Sequence, residues 1–187
     1  MLSYLSGLGV FFWEIIKVTL VALAIILPIR YFLVQPFYVK GASMEPSFYD
    51  HDYLLIDEIS YRFSPPSRAD VMVIRYPRNR SEFFIKRLVA LPGERLVVRG
   101  GQVFIGQNQA EPQLLNEPYL GEWVRTRGEV DVRLGADQYY VLGDNRGSSL
   151  DSRSFGPITA REIVGRTWLR AWPFERWTVF RGQPVTP

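Results

Sequence analysis

The most apolar part of the chain is the segment from residue 11 to residue 34, FFWEIIKVTLVALAIILPIRYFLV. Within it, residues 18–29 are uninterrupted by polar side chains except at Thr19. A helix rises about 1.5 Å per residue, so about 20 residues cross a hydrocarbon core of about 30 Å. Residues 11–31 have that length. The pattern therefore predicts a helix that can anchor the chain in a membrane.

Flanking residues favour a retained anchor. Trp13 near one end and Tyr31 at the other suit the two interfaces of a bilayer. A cleaved signal peptide fits less well, because no basic segment precedes the apolar run and no small-residue cleavage site follows it closely. A buried core helix remains an alternative because the uninterrupted run is short. Charge leaves the orientation open, since Lys17 favours a cytoplasmic N-terminus while Arg30 and Lys40 favour the opposite.

The rest of the chain alternates short apolar runs with Gly, Pro, Asp and Asn, which is typical of strands and turns. The runs that fit strands are YLLIDEI, DVMVIRYP, FFIKRLVAL, ERLVVRGGQVFIG, DQYYVLGD and RTWLRAW. Arg99–Gln102, RGGQ, predicts a hairpin turn, and Ser64–Arg68, SPPSR, an exposed turn. TAREIV predicts one helical turn capped by Thr159. We therefore expect a mostly β fold, with an antiparallel β-sheet domain behind a single transmembrane α-helix.

Composition excludes several kinds of chemistry. The 187 residues include no cysteine and one histidine, His51. Disulfides, thiolate catalysis and zinc sites built on cysteines or on several histidines are therefore excluded. His51 lies in the polar segment YDHDY, which predicts a loop residue. The net charge of +3 is too small for a nucleic-acid-binding surface, and the sequence contains no nucleic-acid motif.

A serine nucleophile without a histidine needs another base. Ser43 lies on a Gly-led bend, VKGASMEPSF, directly after the anchor, and Lys86 lies among apolar residues in FFIKRLVALPGE. A lysine can accept the proton if burial lowers its pKa enough to leave it neutral. Taken singly, Ser43 is more simply a turn residue and Lys86 an outward-facing strand residue. A catalytic role for the two residues becomes of interest only together with a third segment, LGDNRGSSLDSRSFGP at 142–157. Its density of charged and hydroxyl groups indicates an ordered loop.

Three of these segments, GASMEPS, FFIKRLVALPGE and GDNRGSSLDSRSFG, resemble the sequence boxes of bacterial type I signal peptidases. They occur in that family's order, after an N-terminal anchor, and the resemblance covers roughly residues 35–187. Ser43 and Lys86 lie 43 positions apart, as in the shorter members. The resemblance implies that Ser43 is the nucleophile and Lys86 the general base, with Ser149 orienting the lysine amine.

The resemblance also implies supporting roles for the loop after the last strand of the core. Asp151 and Arg153 match the ion pair that holds this loop against the site, and Asp144, Asn145 and Arg146 match structural supports. The residues expected to line or border the shallow pockets for small substrate side chains are Val39, Gly41, Met44, Phe48, Phe84 and Ile85.

The chain departs from the family pattern at several positions. The Ser43 N–H matches the oxyanion donor, but Gly41 stands where many members supply a second, hydroxyl donor, so that donor is left open. Phe48 replaces a more usual leucine and is expected to narrow or reshape a pocket. His51 stands where glycine is usual, and residues 147–148 replace Asp-Asn. No catalytic group is lost, but the fine specificity is left open.

The resemblance implies an anchor segment at residues 1–34 and a catalytic domain at 35–187, with a smaller β insertion at about 95–140. It further implies a membrane-bound serine endopeptidase that removes signal peptides from exported preproteins at the outer face of the cytoplasmic membrane. The implied partners are signal peptides and the lipid bilayer, with no nucleic acid, no metal and no organic cofactor. The oligomeric state is left open, with a monomer favoured.

Two other functions remain open. A Ser/Lys self-cleaving protein of the repressor type would carry a DNA-binding helical domain in place of the anchor. A non-enzymatic, membrane-anchored β module would leave the three boxes unexplained.

Overall fold

The computed structural model describes residues 2–28, 34–107 and 110–180. Within these residues the protein consists of an N-terminal helix and two antiparallel sheets, so the expected mostly β fold is confirmed. The helices are α1 Leu2–Pro28, α2 Ser60–Phe63 and α3 Ser152–Phe155, with short 3-10 turns at Ala160–Glu162 and Phe174–Arg176. The strands are β1 Val34–Tyr38, β2 Tyr53–Asp57, β3 Val71–Tyr76, β4 Asn79–Ala90, β5 Arg95–Arg99, β6 Gln102–Gly106, β7 Gln113–Leu114, β8 Val130–Arg133, β9 Gln138–Leu142, β10 Ile158–Thr159, β11 Ile163–Trp172 and β12 Thr178–Val179.

The helix α1 carries the apolar segment. Its part from Gly9 to Leu27 has a mean hydropathy of 2.3, is long enough to cross a membrane, and has none of its residues buried against the rest of the protein. This exposure favours an anchor over a core helix. Lys17 Nζ lies 2.6 Å from Glu14 Oε1, so the two charges near one end of the span are paired. The expectations for Tyr31 and Arg30 lie outside the described residues.

The larger sheet has the strand order β1-β2-β11-β3-β4-β9-β10, with β12 paired to β11. The hairpin of β3 and β4 places Lys86 opposite Met72. On its other side, β4 pairs with β9 at Arg87, Leu88 and Ala90. Among the described residues, the part of β4 from 83 to 86 therefore has no strand partner on that side. This leaves a free sheet edge next to Lys86.

The smaller sheet has the order β7-β6-β5-β8. The predicted RGGQ turn joins β5 to β6, with φ of 58° at Gly100 and 79° at Gly101, the left-handed conformation that favours glycine in tight hairpins. Apolar side chains of this sheet, such as Leu96 and Ile105, pack against Leu142 at the end of β9. The division of the chain into segments at 1–34, 35–187 and about 95–140 remains a prediction.

Two local predictions had different outcomes. The turn after β10 is confirmed, since the Glu162 carboxylate accepts hydrogen bonds from the Thr159 amide at 2.8 Å and the Thr159 hydroxyl at 2.7 Å. The expectation of an exposed turn at 64–68 is wrong for Arg68. This side chain is buried and forms a two-pronged ion pair with Glu94, at 2.6 and 3.0 Å, because the turn folds it back over the end of β4.

Candidate active site

The bend that carries Ser43 joins β1 to β2. Gly41 has φ +85°, a conformation that glycine adopts without strain, and its amide donates to Asp50 Oδ1 at 2.8 Å. The Glu45 amide donates to the Ala42 carbonyl at 3.2 Å and closes the turn around Ser43. The serine is therefore presented on a short, internally bonded loop, half-buried at the surface of the sheet.

Ser43 and Lys86, which lie far apart in the sequence, meet in the structure. Lys86 Nζ lies 2.8 Å from Ser43 Oγ, and it also donates to the carbonyl of Ile85 at 2.8 Å. The ammonium group lies 5.3 Å from the centre of the Phe84 ring. Lys86 is 3% exposed, so it does not point into solvent as an ordinary strand lysine does. The alternative reading of Lys86 as an outward-facing residue is therefore wrong.

Burial sets the protonation of this lysine. Removal from water lowers the pKa of Lys86 to about 8, against an ordinary value of 10.5, while the carboxylates of Asp151 and Asp144 oppose the shift. An amine with this pKa is neutral in an appreciable fraction of molecules at neutral pH. The environment thus gives Lys86 the property that a general base requires.

The loop at 142–153 is ordered by an ion pair at its centre. Asp151 accepts two hydrogen bonds from the Arg153 guanidinium, at 2.8 and 2.7 Å, and one from the Gly143 amide at 3.1 Å. Asp151 is fully buried. Burial alone would raise the pKa of Asp151, but the bonds from Arg153 and Gly143 hold it below the ordinary value. The predicted ion pair is present. Because Asp151 is ionised, its bonds to Arg153 and Gly143 hold the loop in place.

The start of this loop, at Asp144 and Asn145, contacts both the strand that carries Lys86 and the bend that carries Ser43. Asp144 forms a two-pronged ion pair with Arg87, at 2.8 and 2.6 Å, directly after Lys86 in β4. Asn145 donates from its backbone to the Ser43 carbonyl and from its side chain to the Ala42 carbonyl, each at 3.1 Å. The Asp144 side chain thus reaches the lysine strand, while Asn145 reaches the serine bend.

Arg146 reaches in a third direction. It is among the largest fully buried side chains, and it forms a two-pronged ion pair with Glu117 and a 2.6 Å hydrogen bond to the Thr126 hydroxyl. Glu117 and Thr126 belong to the long connection between β7 and β8. Sequence reasoning missed both, because neither lies in a box or a periodic segment.

Ser149 lies close to the site but does not make the expected contact. Its hydroxyl is buried and makes no hydrogen bond to Lys86 Nζ, whose bonds go to Ser43 and Ile85. It contributes instead to the lowered pKa of the Asp151 carboxylate. A Cβ added to Gly143 would lie 2.1 Å from Ser149 Oγ and 2.4 Å from the Ser43 carbonyl, so only glycine fits between them. The orienting role of Ser149 remains a prediction.

An apolar cleft of about 140 Å³ opens beside the Ser43–Lys86 pair. The residues that line it are Phe37, Tyr38, Val39, Lys40, Ser43, Leu54, Val73, Phe83, Phe84, Ile85 and Lys86. Three of the six predicted pocket residues, Val39, Phe84 and Ile85, are among them. Met44 and Phe48 are instead fully buried in the core, and Gly41 does not line the cleft. Because the bend turns them inward, Met44 and Phe48 pack into the cluster formed by side chains of β2 and β3.

Sequence reasoning also missed an ionic network behind the serine bend. Arg170 on β11 is buried, donates to the Ser47 carbonyl and places Nε 3.1 Å from Asp52 Oδ2. Its guanidinium lies 5.0 Å from the centre of the Phe48 ring, and Arg176 donates to the other Asp52 oxygen at 3.0 Å. In the sequence, Arg170 looks like an ordinary polar position of an alternating strand.

His51 is a loop residue, as expected. Its side chain is exposed, its Nδ1 lies 3.0 Å from Asp50 Oδ2, and its backbone has φ +70°. A positive φ is strained for residues with a Cβ and free for glycine. This conformation fits the glycine that the family resemblance leads us to expect at the position.

Within residues 2–28, 34–107 and 110–180, no group of three or more His, Cys, Asp or Glu residues could hold a metal ion.

The fold and the Ser43–Lys86 pair together define a class: a serine hydrolase on a β domain with an N-terminal membrane anchor. Residues 12–172 match the family model described as signal peptidase, peptidase S26. The chain belongs to this family of serine peptidases.

Two relatives with similar sequences agree with this assignment. The signal peptidase I of Leptolyngbya laminosa is 34% identical over 170 residues, which cover 87% of this chain and 81% of that protein. The signal peptidase I of Bacillus caldolyticus is 31% identical over 164 residues, covering 83% and 89% respectively. A crystal structure of a signal peptidase I from Enterococcus faecalis V583 superposes with a TM-score of 0.46 at 27% identity, covering 55% of this chain and 97% of the other.

Proposed function

We propose that this protein is a membrane-bound endopeptidase that removes N-terminal signal peptides from exported preproteins, with Ser43 as nucleophile and Lys86 as general base. The observation that carries the proposal is the 2.8 Å contact between Lys86 Nζ and Ser43 Oγ at a buried lysine whose pKa is lowered to about 8. Membership in the signal peptidase family supports the choice of substrate.

The proposed reaction has two halves. Neutral Lys86 takes the proton of the Ser43 hydroxyl as the oxygen attacks the scissile carbonyl carbon. The tetrahedral intermediate collapses, the new amino terminus of the mature protein leaves with a proton from Lys86, and an acyl-enzyme remains. Lys86 is then neutral again and takes a proton from a water molecule as that water attacks the ester carbonyl. The ester bond breaks, the signal peptide leaves with a new carboxyl terminus, and Lys86 returns the proton to the Ser43 oxygen.

The oxyanion of each tetrahedral intermediate needs a donor. The Ser43 amide is a suitable candidate because it has no hydrogen-bond partner among the described residues. Gly41 carries no hydroxyl, so a second donor has to come from another group or from water.

The cleft and the sheet edge indicate how the substrate binds. An extended peptide can add to the free edge of β4 at 83–86 through backbone hydrogen bonds. Val39 and Ile85 then offer an apolar surface to small side chains before the cut. The anchor α1 holds this cleft near the bilayer, and we place it at the outer face of the cytoplasmic membrane, where the signal peptide emerges. We expect the protein to act as a monomer.

The test is incubation of the full-length protein, in a non-ionic detergent, with a preprotein that carries an Ala-x-Ala site, followed by mass spectrometry of the products. We expect a single cut directly after the second alanine. Ser43→Ala is the matched control and should yield no product. Absence of cleavage by the native protein, or equal cleavage by Ser43→Ala, would contradict the proposal.

A further inference from the structure

A second lysine stands at the mouth of the cleft and has no part in the proposed chemistry. Lys40 is exposed, lines the cleft and precedes Ser43 by three residues. Within the described part of the chain, its ammonium makes no hydrogen bond and no ion pair with a carboxylate. The group is therefore available to an outside partner.

Among the described residues, no carboxylate forms an ion pair with Lys40. No carboxylate is among the residues that line the cleft. Asp50, on the same bend, is already engaged, because it accepts a hydrogen bond from the Gly41 amide at 2.8 Å and lies 3.0 Å from His51 Nδ1. A peptide that enters the cleft therefore meets a positive charge at its rim.

The alternation of extended chains decides which substrate side chain meets this charge. Successive side chains of a strand point to opposite faces. Val39 is 4% exposed and contributes to the cleft, whereas Lys40, the next residue, is exposed at the surface. We expect the bound peptide to be extended along the edge of β4, so that its side chains alternate between two faces. When the side chains at the first and third positions before the cut face the cleft, the side chain at the second position faces out toward the rim.

We propose that Lys40 is a specificity-determining residue that selects an acidic side chain, Asp or Glu, at the second position before the cut. This inference rests on the proposed function. Because the ion pair is exposed, its effect is modest and depends on ionic strength. We expect a rate advantage of about threefold to fivefold for Asp over Lys at that position in low salt, as exposed pairs allow.

The experiment compares three soluble peptides with alanine at the first and third positions and Asp, Asn or Lys at the second. They are mixed and cleaved in competition by the full-length protein in a non-ionic detergent without lipid, and the ratios of kcat/KM are read by mass spectrometry. Lys40→Met removes the charge and keeps the length of the side chain. Lys40→Glu reverses the charge, and Arg133→Glu makes the same charge reversal on the exposed face of β8.

In the native protein, we expect kcat/KM to decrease from the Asp peptide to the Asn peptide to the Lys peptide. These differences should nearly vanish in Lys40→Met, reverse in Lys40→Glu, and persist in Arg133→Glu. High salt should flatten the native order. An unchanged Asp-to-Lys ratio in Lys40→Met would overturn the inference, and so would an equal change in Arg133→Glu. Failure of the proposed function gives a different result, since the native protein would then cut none of the three peptides.

Discussion

The amide of Asn145 donates a hydrogen bond of 3.1 Å to the carbonyl oxygen of Ser43. The side chain of Asn145 adds a second bond, to Ala42, and the preceding Asp144 pairs with Arg87 beside Lys86. One short turn therefore holds both the bend that presents the hydroxyl and the strand that presents the amine. The position of the serine relative to the lysine depends on a segment that is distant from both in the sequence.

The side chain of Asn145 should therefore matter for the rate more than for substrate binding. Asn145→Ala removes the bond to the Ala42 carbonyl and keeps the backbone bond to Ser43. We expect kcat on a short peptide to fall about tenfold with KM changed less than twofold, because a small displacement of a nucleophile is costly. Asn79→Ala is a control, since the Asn79 side chain bonds to Glu82 on the exposed hairpin. Equal kinetic effects of the two variants would contradict the positioning role.

The Ser43–Lys86 pair should behave as a unit. Ser43→Ala and Lys86→Ala should each abolish detectable cleavage, and the double variant should be no worse than either, because each change removes the same proton transfer. The measurement is single-turnover cleavage of a preprotein, with circular dichroism to verify folding. Substantial activity in Lys86→Ala would eliminate Lys86 as the base.

Activity should depend on pH through the free amine. Protonated Lys86 cannot accept the serine proton, so kcat/KM should fall toward acid and level off above the pKa. Since burial lowers the pKa of Lys86 to about 8, we expect the midpoint of the acid limb near pH 8. The measurement is a pH profile of kcat/KM on a neutral peptide. A midpoint near 10.5, the ordinary lysine value, would show that burial does not tune this group.

The same burial should reduce the stability of the folded protein. The unfolded chain, with the higher lysine pKa, binds more protons than the folded chain between pH 8 and 10.5, so stability rises with pH across that window. Below pH 8, the full free-energy cost of burying the charged Lys86 reduces the stability of the folded protein. Lys86→Met should therefore increase the free energy of unfolding at pH 7 by about 1–3 kcal/mol, with a gain that shrinks toward pH 10.5.

Urea denaturation of the full chain at several pH values measures this gain. Lys40→Met is the control, because that lysine is exposed and pays no burial penalty. A pH-independent difference between Lys86→Met and the native protein would contradict the assigned cause.

The sequence predicted those features that depend on a residue pattern within one short segment. The hairpin at Gly100 and the Thr159 cap follow from turn and capping rules, and the boxes around Ser43 and Lys86 predict residues that the structure brings together. The burial of Met44 and Phe48 could not be read this way. The bend has no period, and only the fold of the larger sheet, which brings side chains of β2 and β3 into one cluster, decides which of the bend's side chains turn inward.

The sequence also did not predict which ionic side chains are buried. Arg68, Arg146 and Arg170 each lie under the surface with carboxylate or carbonyl partners that are distant in the sequence. A single sequence carries no mark of which arginine meets which carboxylate, because such pairs depend on how the sheets and loops come together. Family resemblance indicated Arg146, while Arg170 and its partner Asp52 became visible only in the fold.

A further prediction concerns the side chains that enter the cleft. The cleft is apolar and about 140 Å³ in volume, and no carboxylate lines it. A lysine at the first or third position before the cut would lose its water without a carboxylate partner, at a cost of several kcal/mol. An aspartate there would favour the protonated form of Lys86 and so remove the free amine that the proposed reaction needs. We expect alanine at both positions to be accepted, and either charged residue to lower kcat/KM by more than about a hundredfold. Cleavage of peptides with single substitutions at each position measures this. Efficient cleavage after charged residues at both positions would contradict the prediction that the cleft excludes charge.

Access to the cleft should also depend on the membrane. The anchor α1 is connected to β1 by a short segment, so the cleft cannot lie far from the bilayer. A preprotein whose signal peptide partitions into lipid reaches the cleft at a raised local concentration, whereas a short soluble peptide does not. Reconstitution into vesicles should therefore raise the cleavage rate of the preprotein more than that of the peptide. Equal gains for both substrates would contradict the predicted role of the membrane.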